Sequence, residues 1–254
     1  MARYTHVGLT GANGLIGRVL LKGLGGEYQL KAFTRRPVDF PSAIVNFERA
    51  AEVRGAFAGL EAVIHLAADP SPAAPWEAVR EHNLEGMYQV CEECVRSGVK
   101  RLVFASTNHT QHGNTLLTTP ETLDPRKRNH MRLSDPPNPD SLYAVSKLFG
   151  EHLGRLYHQR HGLEFVGLRI GWIVEADTPL VMRGTPAEEY LRAMFLSHRD
   201  CVEAHRRALE AEAGYLLAYA VSDNGRRVFD LEKTRRALGF APQDDAETYF
   251  AEVQ

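Results

Sequence analysis

The chain is poor in several things, and each shortage excludes something. Its three cysteines, Cys91, Cys94 and Cys201, are too few and too odd in number for a disulfide framework. Cys91 and Cys94 form a CxxC, but within the helical pattern NLEGMYQVCEECVRSG and with no second pair to complete a zinc site, so no metal centre is expected. Neither sign of charge dominates: 30 Lys and Arg stand against 32 Asp and Glu. No overall field would therefore recruit nucleic acid or an anionic membrane as the main partner. Long apolar runs are missing too, and the opening MARYTHVGLTG has no apolar core of a secretion signal. The expected location is the cytoplasm, with no membrane partner.

What is present is an alternating rhythm. An apolar content of 44% over 254 residues suits one large domain, or one domain with a small appendage. Up to about residue 107, short β-branched runs alternate with longer amphipathic ones. The pattern predicts strands at 6–10, 28–34, 43–47, 62–67 and 101–107, with helical patterns at 14–24, 52–60 and 76–98 between them. VIHLAA and LVFAS are apolar on both faces, as central strands covered by helices are. The fold class is α/β, a Rossmann-type doubly wound parallel sheet whose strands end on one ligand-binding edge. Residues 110–141 break the rhythm as a long loop, helical periodicity resumes over 141–162, and EFVGLRIGWIV reads as another strand. Residues 186–212 read as helical. The expected division is a dinucleotide-binding domain over 1–170 and a small substrate-binding part over 171–254, interleaved with the last sheet elements.

The first strand runs into LTGANGLIGR. Gly11 permits a tight turn, Gly14 lets the backbone approach a pyrophosphate, and Gly17 lets helix and strand pack closely. Asn13, Leu15 and Ile16 lie in the same turn, whose free N–H groups would face the phosphate charge. The end of the second strand reads AFTRRP, with no carboxylate to bind the ribose hydroxyls. Arg35 and Arg36 stand where a 2′-phosphate would be met, favouring NADP over NAD or use of both, unless they are solvated loop residues. Further on, Tyr143 and Lys147 are one helical turn apart in SLYAVSKLFGEHLG. An ammonium beside a phenol lowers the phenol pKa toward the working range, which suits a base that removes a hydroxyl proton.

Five motifs, TGANGLIG, HLAA (65–68), Asn83 in HNLEG, FASTNH (104–109) and YAVSK (143–147), stand in the order and approximate spacing of the extended short-chain dehydrogenase/reductase family. The chain resembles that family over essentially its whole length, RRALGFAP being similar to the family's closing segment. FASTNHT, LYAVSKLFGE, LRIGW and FLSHRD are most similar to the branch of uronate dehydrogenases and the NAD-dependent glucose 6-phosphate dehydrogenases of halophilic archaea. The resemblance implies Tyr143 as base, Lys147 as its support and ribose ligand, Thr107 on the reacting oxygen, and Asn83 bracing Lys147 through water. It also implies Leu66, Ala67 and Ala68 along the cofactor, Asn108 and His109 facing substrate, substrate contacts around Arg192, and a homodimer through helices near 76–97 and 142–161.

Three features depart from that branch: the acid after the second strand is missing, Asn46 stands where relatives often have an Asp near the adenine, an amide that can still hydrogen-bond that ring, and Trp172 replaces a small polar residue near the substrate. The basic loop Arg126, Lys127, Arg128 and Arg132 could clamp a phosphate or carboxylate, or be a solvated charge run. The expected reaction is hydride removal from the anomeric carbon of a sugar phosphate or uronate, giving a lactone. Two alternatives remain open: an epimerase or dehydratase with tightly bound NAD, and a non-catalytic NAD(P)-sensing protein.

Overall fold

A computed structural model describes residues 2–112 and 130–251. Arg126, Lys127 and Arg128 of the basic loop lie outside the described residues. Seven parallel strands form one sheet in the order β3-β2-β1-β4-β5-β6-β7. They are β1 His6–Thr10, β2 Gln29–Thr34, β3 Ala43–Ile44, β4 Ala62–His65, β5 Arg101–Thr107, β6 Glu164–Ile170 and β7 Tyr215–Ala220. The order reverses between β1 and β4, and the crevice at their carboxyl ends is where such sheets take ligands.

Helices cover both faces. On one lie α1 (Leu15–Leu24) and a long C-terminal helix over His198–Glu210, which pack together with Leu20, Leu24, Ala204 and Leu209 in a common core. On the other, Trp76–Ala78 (α3) leads without a break through a π-helical turn, Val79–Glu85, into α4, Gly86–Ser97. There Val90, Cys91 and Cys94 pack with Phe33, Phe57 and Phe165, so the CxxC is buried core. Short helices follow β3 (α2, Ala50–Val53) and β5 (α5, His109–His112). The 20-residue helix α6, Leu142–His161, packs on β5. Ser141 caps it, accepting a hydrogen bond from the Ala144 N–H.

The two ends of the chain's second half differ from expectation. Residues 186–212 form two helices, α7 (Glu188–Met194) and α8 (His198–Glu210). Between them Phe195 bridges to Trp172, whose N–H donates to Met194 O and whose carbonyl accepts from Leu196 N. The helical period runs through this break because Phe195 and Leu196 are apolar and buried in either conformation. Strand β7 was not anticipated, since YLLAYA is too short and too rich in Leu and Ala for periodicity to separate strand from helix. After it come α9, Glu232–Leu238, and α10, Ala246–Ala251. Residues Met194, Tyr219, Phe229, Met131, Trp172 and Tyr190 form a small core above the carboxyl ends of β6 and β7.

Candidate active site

The turn after β1 is shaped by backbone crowding. Gly11 has φ +67°, and a Cβ there would lie 2.8 Å from Ala67 N. A Cβ on Gly17 would lie 2.5 Å from Gly11 O, so α1 can start this close to β1 only without one. Gly14 precedes α1 with no side-chain cap, which leaves the first N–H groups for a ligand. The turn is thus a cradle that a Cβ would fill, and it fits the pyrophosphate of a dinucleotide.

Beneath it lies a buried lock between β1 and β4 that sequence reasoning missed. Thr10 Oγ1 accepts from the N–H groups of Leu66 and Ala67, both at 3.1 Å, and lies 2.8 Å from His65 Nδ1. With its lone pairs used, the hydroxyl donates its proton to Nδ1. Burial, with Lys147 nearby, pushes the His65 pKa down to about 3, so the ring is neutral and accepts. The signal was two polar residues in otherwise apolar strand runs.

A cavity of 760 Å³ extends from this turn over the ends of β4, β5 and β6. Gly11, Gly14, Leu15, Ile16, Gly17, Leu66, Ala67 and Ala68 line one end, and Thr107, Asn108, His109, Tyr143, Lys147, Trp172 and Tyr190 line the other. Thr107 ends β5, and α6 presents Tyr143 and Lys147 from successive turns. Tyr143 and Thr107 line the same end of the cavity. Thr107 Oγ1 donates to Asn108 Oδ1 at 3.2 Å and accepts from His109 N at 3.3 Å. Asn108 Nδ2 donates to the Tyr190 hydroxyl at 3.1 Å. His109 Nδ1 pairs with Asp140 Oδ2 at 2.6 Å. Asp140 was also missed, because it sits in a stretch, PPNPDS, that reads only as loop.

Electrostatically, the site departs from the expected lowered phenol. Burial pushes the Tyr143 pKa up to about 12, with the Thr107 hydroxyl opposing it and Asp140 and Asp69 adding to it. Burial also lowers Lys147 to about 7. The Lys147 Nζ sits 4.9 Å from the centre of the Phe104 ring and 5.7 Å from that of Tyr143. An ammonium stabilises a phenolate only while it is charged, and this apolar setting works against the charge on both.

Several expected residues stand elsewhere. Asn83 braces by direct bonds rather than toward Lys147: its Nδ2 donates to Ser146 Oγ at 2.9 Å and to Asp69 O at 3.1 Å, and its Oδ1 accepts from Asp69 N at 2.8 Å. Ser146 Oγ in turn donates to Tyr143 O, so Asn83 fixes α6. Arg192 is turned away from the cavity, bonded to Glu247 and Glu188 and stacked 4.1 Å above Phe250. Asn46 is spent on Glu52, to which both its backbone and side-chain nitrogens donate at 3.0 Å. Arg36 and Asn13 are exposed and line neither cavity. Arg35 lines a second cavity beside the glycine turn. Arg132, within the described part of the basic loop, is exposed near Asp230. Among the described residues no cluster of three or more His, Cys, Asp or Glu is placed to hold a metal.

The glycine turn, the threonine at the end of β5 and the Tyr-Lys pair on the following long helix lie in a segment that matches a known family. Residues 7–174 match the sequence profile of the NAD dependent epimerase/dehydratase family. The chain belongs to that family. Within it, the chain is 41% identical to the L-arabinose 1-dehydrogenase (NAD(P)(+)) of Haloferax volcanii, covering 96% of this chain and 98% of that one. It is 36% identical to the NAD-dependent glucose-6-phosphate dehydrogenase of the same organism, over 94% of this chain and 93% of the relative. Its fold is similar to the crystal structure of a uronate dehydrogenase mutant from Agrobacterium tumefaciens complexed with NAD, with a TM-score of 0.82 and 26% identity, covering 98% of this chain and 88% of that one.

Proposed function

We propose that this member of the epimerase/dehydratase family is an NAD(P)-dependent sugar dehydrogenase that oxidises the anomeric carbon of a cyclic aldose to the lactone. One observation carries the reading: Thr107, Tyr143 and Lys147 converge in the same cavity that begins at the Gly11 turn. The chemistry a bound dinucleotide supplies is acceptance of a hydride from that carbon. Tyr143, as the phenolate, receives the proton of the anomeric hydroxyl, and Thr107, in the same cavity, holds the oxygen. Lys147, while protonated, stabilises the phenolate that accepts that proton. Asn83 acts as a positioning residue, through Ser146 and the first turn of α6.

The sugar end of the cavity suits the ring of an aldose, the substrate class expected from sequence. Among the described residues lining it there is no arginine, and its walls are the indole of Trp172 and the phenol of Tyr190, with ring centres 5.7 Å apart. Aromatic faces suit the C–H faces of a sugar ring. Among aldoses, L-arabinose, glucose 6-phosphate and glucuronate should be screened, and at least one should reduce NAD or NADP when mixed with the protein. Tyr143→Phe should lower turnover by about 10²–10⁴-fold while dinucleotide binding persists. Absence of any change in nicotinamide absorbance across these sugars with both dinucleotides would end the proposal.

The active form is a homodimer. Supporting it are Leu142, Val145, Phe149 and Leu156 exposed along α6, with Trp76, Tyr88 and Val95 exposed on the neighbouring helix. Spacings of three, four and seven residues put the four α6 side chains on one face. The enzyme works in the cytoplasm, where dinucleotide pools serve sugar oxidation.

A further inference from the structure

Behind the residues that line the cavity lies a buried polar network that the proposed reaction does not use. Glu151 follows Tyr143 and Lys147 on α6 at intervals of four residues, so it shares their side of the helix. Its carboxylate meets the guanidinium of Arg169 on β6 as a two-pronged pair, Nε to Oε1 at 2.9 Å and Nη2 to Oε2 at 2.8 Å. Ser106, next to Thr107 on β5, donates to the same Oε1 at 2.6 Å. The remaining prong, Arg169 Nη1, donates to Gln111 Oε1 on α5 at 2.7 Å. That oxygen also accepts from the Tyr219 hydroxyl on β7, and Gln111 Nε2 donates to the carbonyls of Arg132 and Asp135.

Stability alone is a poor reason for such a pair. Both side chains are almost wholly buried, and the cost of taking two charges out of water offsets most of their attraction, so apolar residues of similar volume would hold the fold as well. What apolar contact lacks is direction. A guanidinium fork on a carboxylate fixes distance and angle together, where packed methylenes can slide.

We propose that Arg169 is the joint between the two halves of the active site, with Glu151 setting Tyr143 and Lys147 against Thr107 and Gln111 setting the aromatic wall beside the sugar. The proposal rests on the sugar dehydrogenase reading above. One arm, Ser106–Glu151–Arg169, ties the end of β5 and the middle of α6 to β6, one turn beyond Lys147. Asn83 fixes the first turn of the same helix, so the base is held from both sides. The other arm runs from Gln111 into the segment 131–135. Met131 pairs there with the backbone on either side of Phe229, and Met131 and Leu133 pack with Trp172 and Tyr190. Tyr219 stacks on Phe229 with ring centres 4.4 Å apart, which closes the loop back to Gln111. Glu151, Arg169 and Gln111 do not line the cavity, so all three are positioning residues.

Thermal melts and steady-state kinetics of the full chain test this, with whichever of L-arabinose, glucose 6-phosphate and glucuronate the wild type oxidises. The double variant Glu151→Leu with Arg169→Met should melt at or above the wild-type temperature. Its kcat should nevertheless fall about tenfold or more, because small misplacements of reacting groups are that costly. Gln111→Glu keeps the acceptor for Arg169 and Tyr219 but loses the donor to the two carbonyls. It should raise KM for the sugar about tenfold while kcat stays within about threefold. Gln111→Met, which loses both sets of bonds, should show the two effects together. In every variant KM for the dinucleotide should stay within about twofold, since the glycine turn is not tied to the network. A double variant that keeps its kcat, or one that melts well below the wild type, would overturn the proposal, and so would Gln111 variants with unmoved sugar KM. Oxidation of none of the three sugars by the wild-type chain would instead overturn the underlying reading.

Discussion

Lys147 is a buried amine with no carboxylate paired to it among the described residues, and its energetics can be read from pH. Its pKa falls from 10.5 to about 7 on folding because burial disfavours the charge. Below pH 7 the folded protein therefore carries the full penalty of a buried ammonium. The penalty shrinks as pH rises from there and is gone above the unfolded value, since over that range the unfolded chain binds the extra proton. Lys147→Met should raise the melting temperature, by more at pH 6 than at pH 10, with a gain of a few kcal/mol at the acidic end. Equal gains at both pH values would show that folding does not shift the pKa of this amine. The same variant should lose activity, which separates what the side chain does for turnover from what it costs the fold. Tyr143 and Lys147 were legible in the sequence because one helical turn separates them. The direction in which burial moves their pKa values was not, since spacing carries no information about Phe104 or the closed cavity around them.

At the scale of an element, α6 reaches its place because two of its residues have no side chain. A Cβ on Gly150 would lie 2.4 Å from the Phe104 ring, and one on Gly154 would lie 2.1 Å from the Phe165 ring. The helix therefore rests almost on the aromatic floor of β5 and β6, with Tyr143 and Lys147 level with Thr107. Gly154→Ala should destabilise the protein by about 1–3 kcal/mol by overpacking. Gly154 faces Phe165 near the start of β6, away from Tyr143, so kcat and dinucleotide affinity should change less than stability. Denaturant melts and steady-state kinetics on the variant would check both. The helix was legible from its periodicity and its closing Gly162 in the left-handed region. The break at Phe195 and the short strand β7 were not, because buried apolar runs look alike whichever backbone conformation they adopt.

For the molecule as a whole, the apolar faces of α4 and α6 set the prediction. Val145→Asp combined with Phe149→Asp should convert a dimer to a monomer in sedimentation, while the isolated chain keeps its fold, since Val145 is 49% and Phe149 38% exposed. A wild-type chain that sediments as a monomer would refute the dimer. Most of the sheet could be read in advance, because parallel strands buried on both faces announce themselves as apolar runs between amphipathic helices. Asp140 and Tyr190 could not, since Asp140 lies in a stretch that reads only as loop and the helical period around Tyr190 does not say which side chain lines the cavity. The widened turn Val79–Glu85 joins these scales. His82 and Asn83 are consecutive in it, yet one lies beside Arg35 in the second cavity and the other steadies the helix that carries Tyr143. Restoring ordinary α-helical winding there would re-aim both at once, so the wall of the second cavity and the seat of α6 hang on a single irregularity of the backbone.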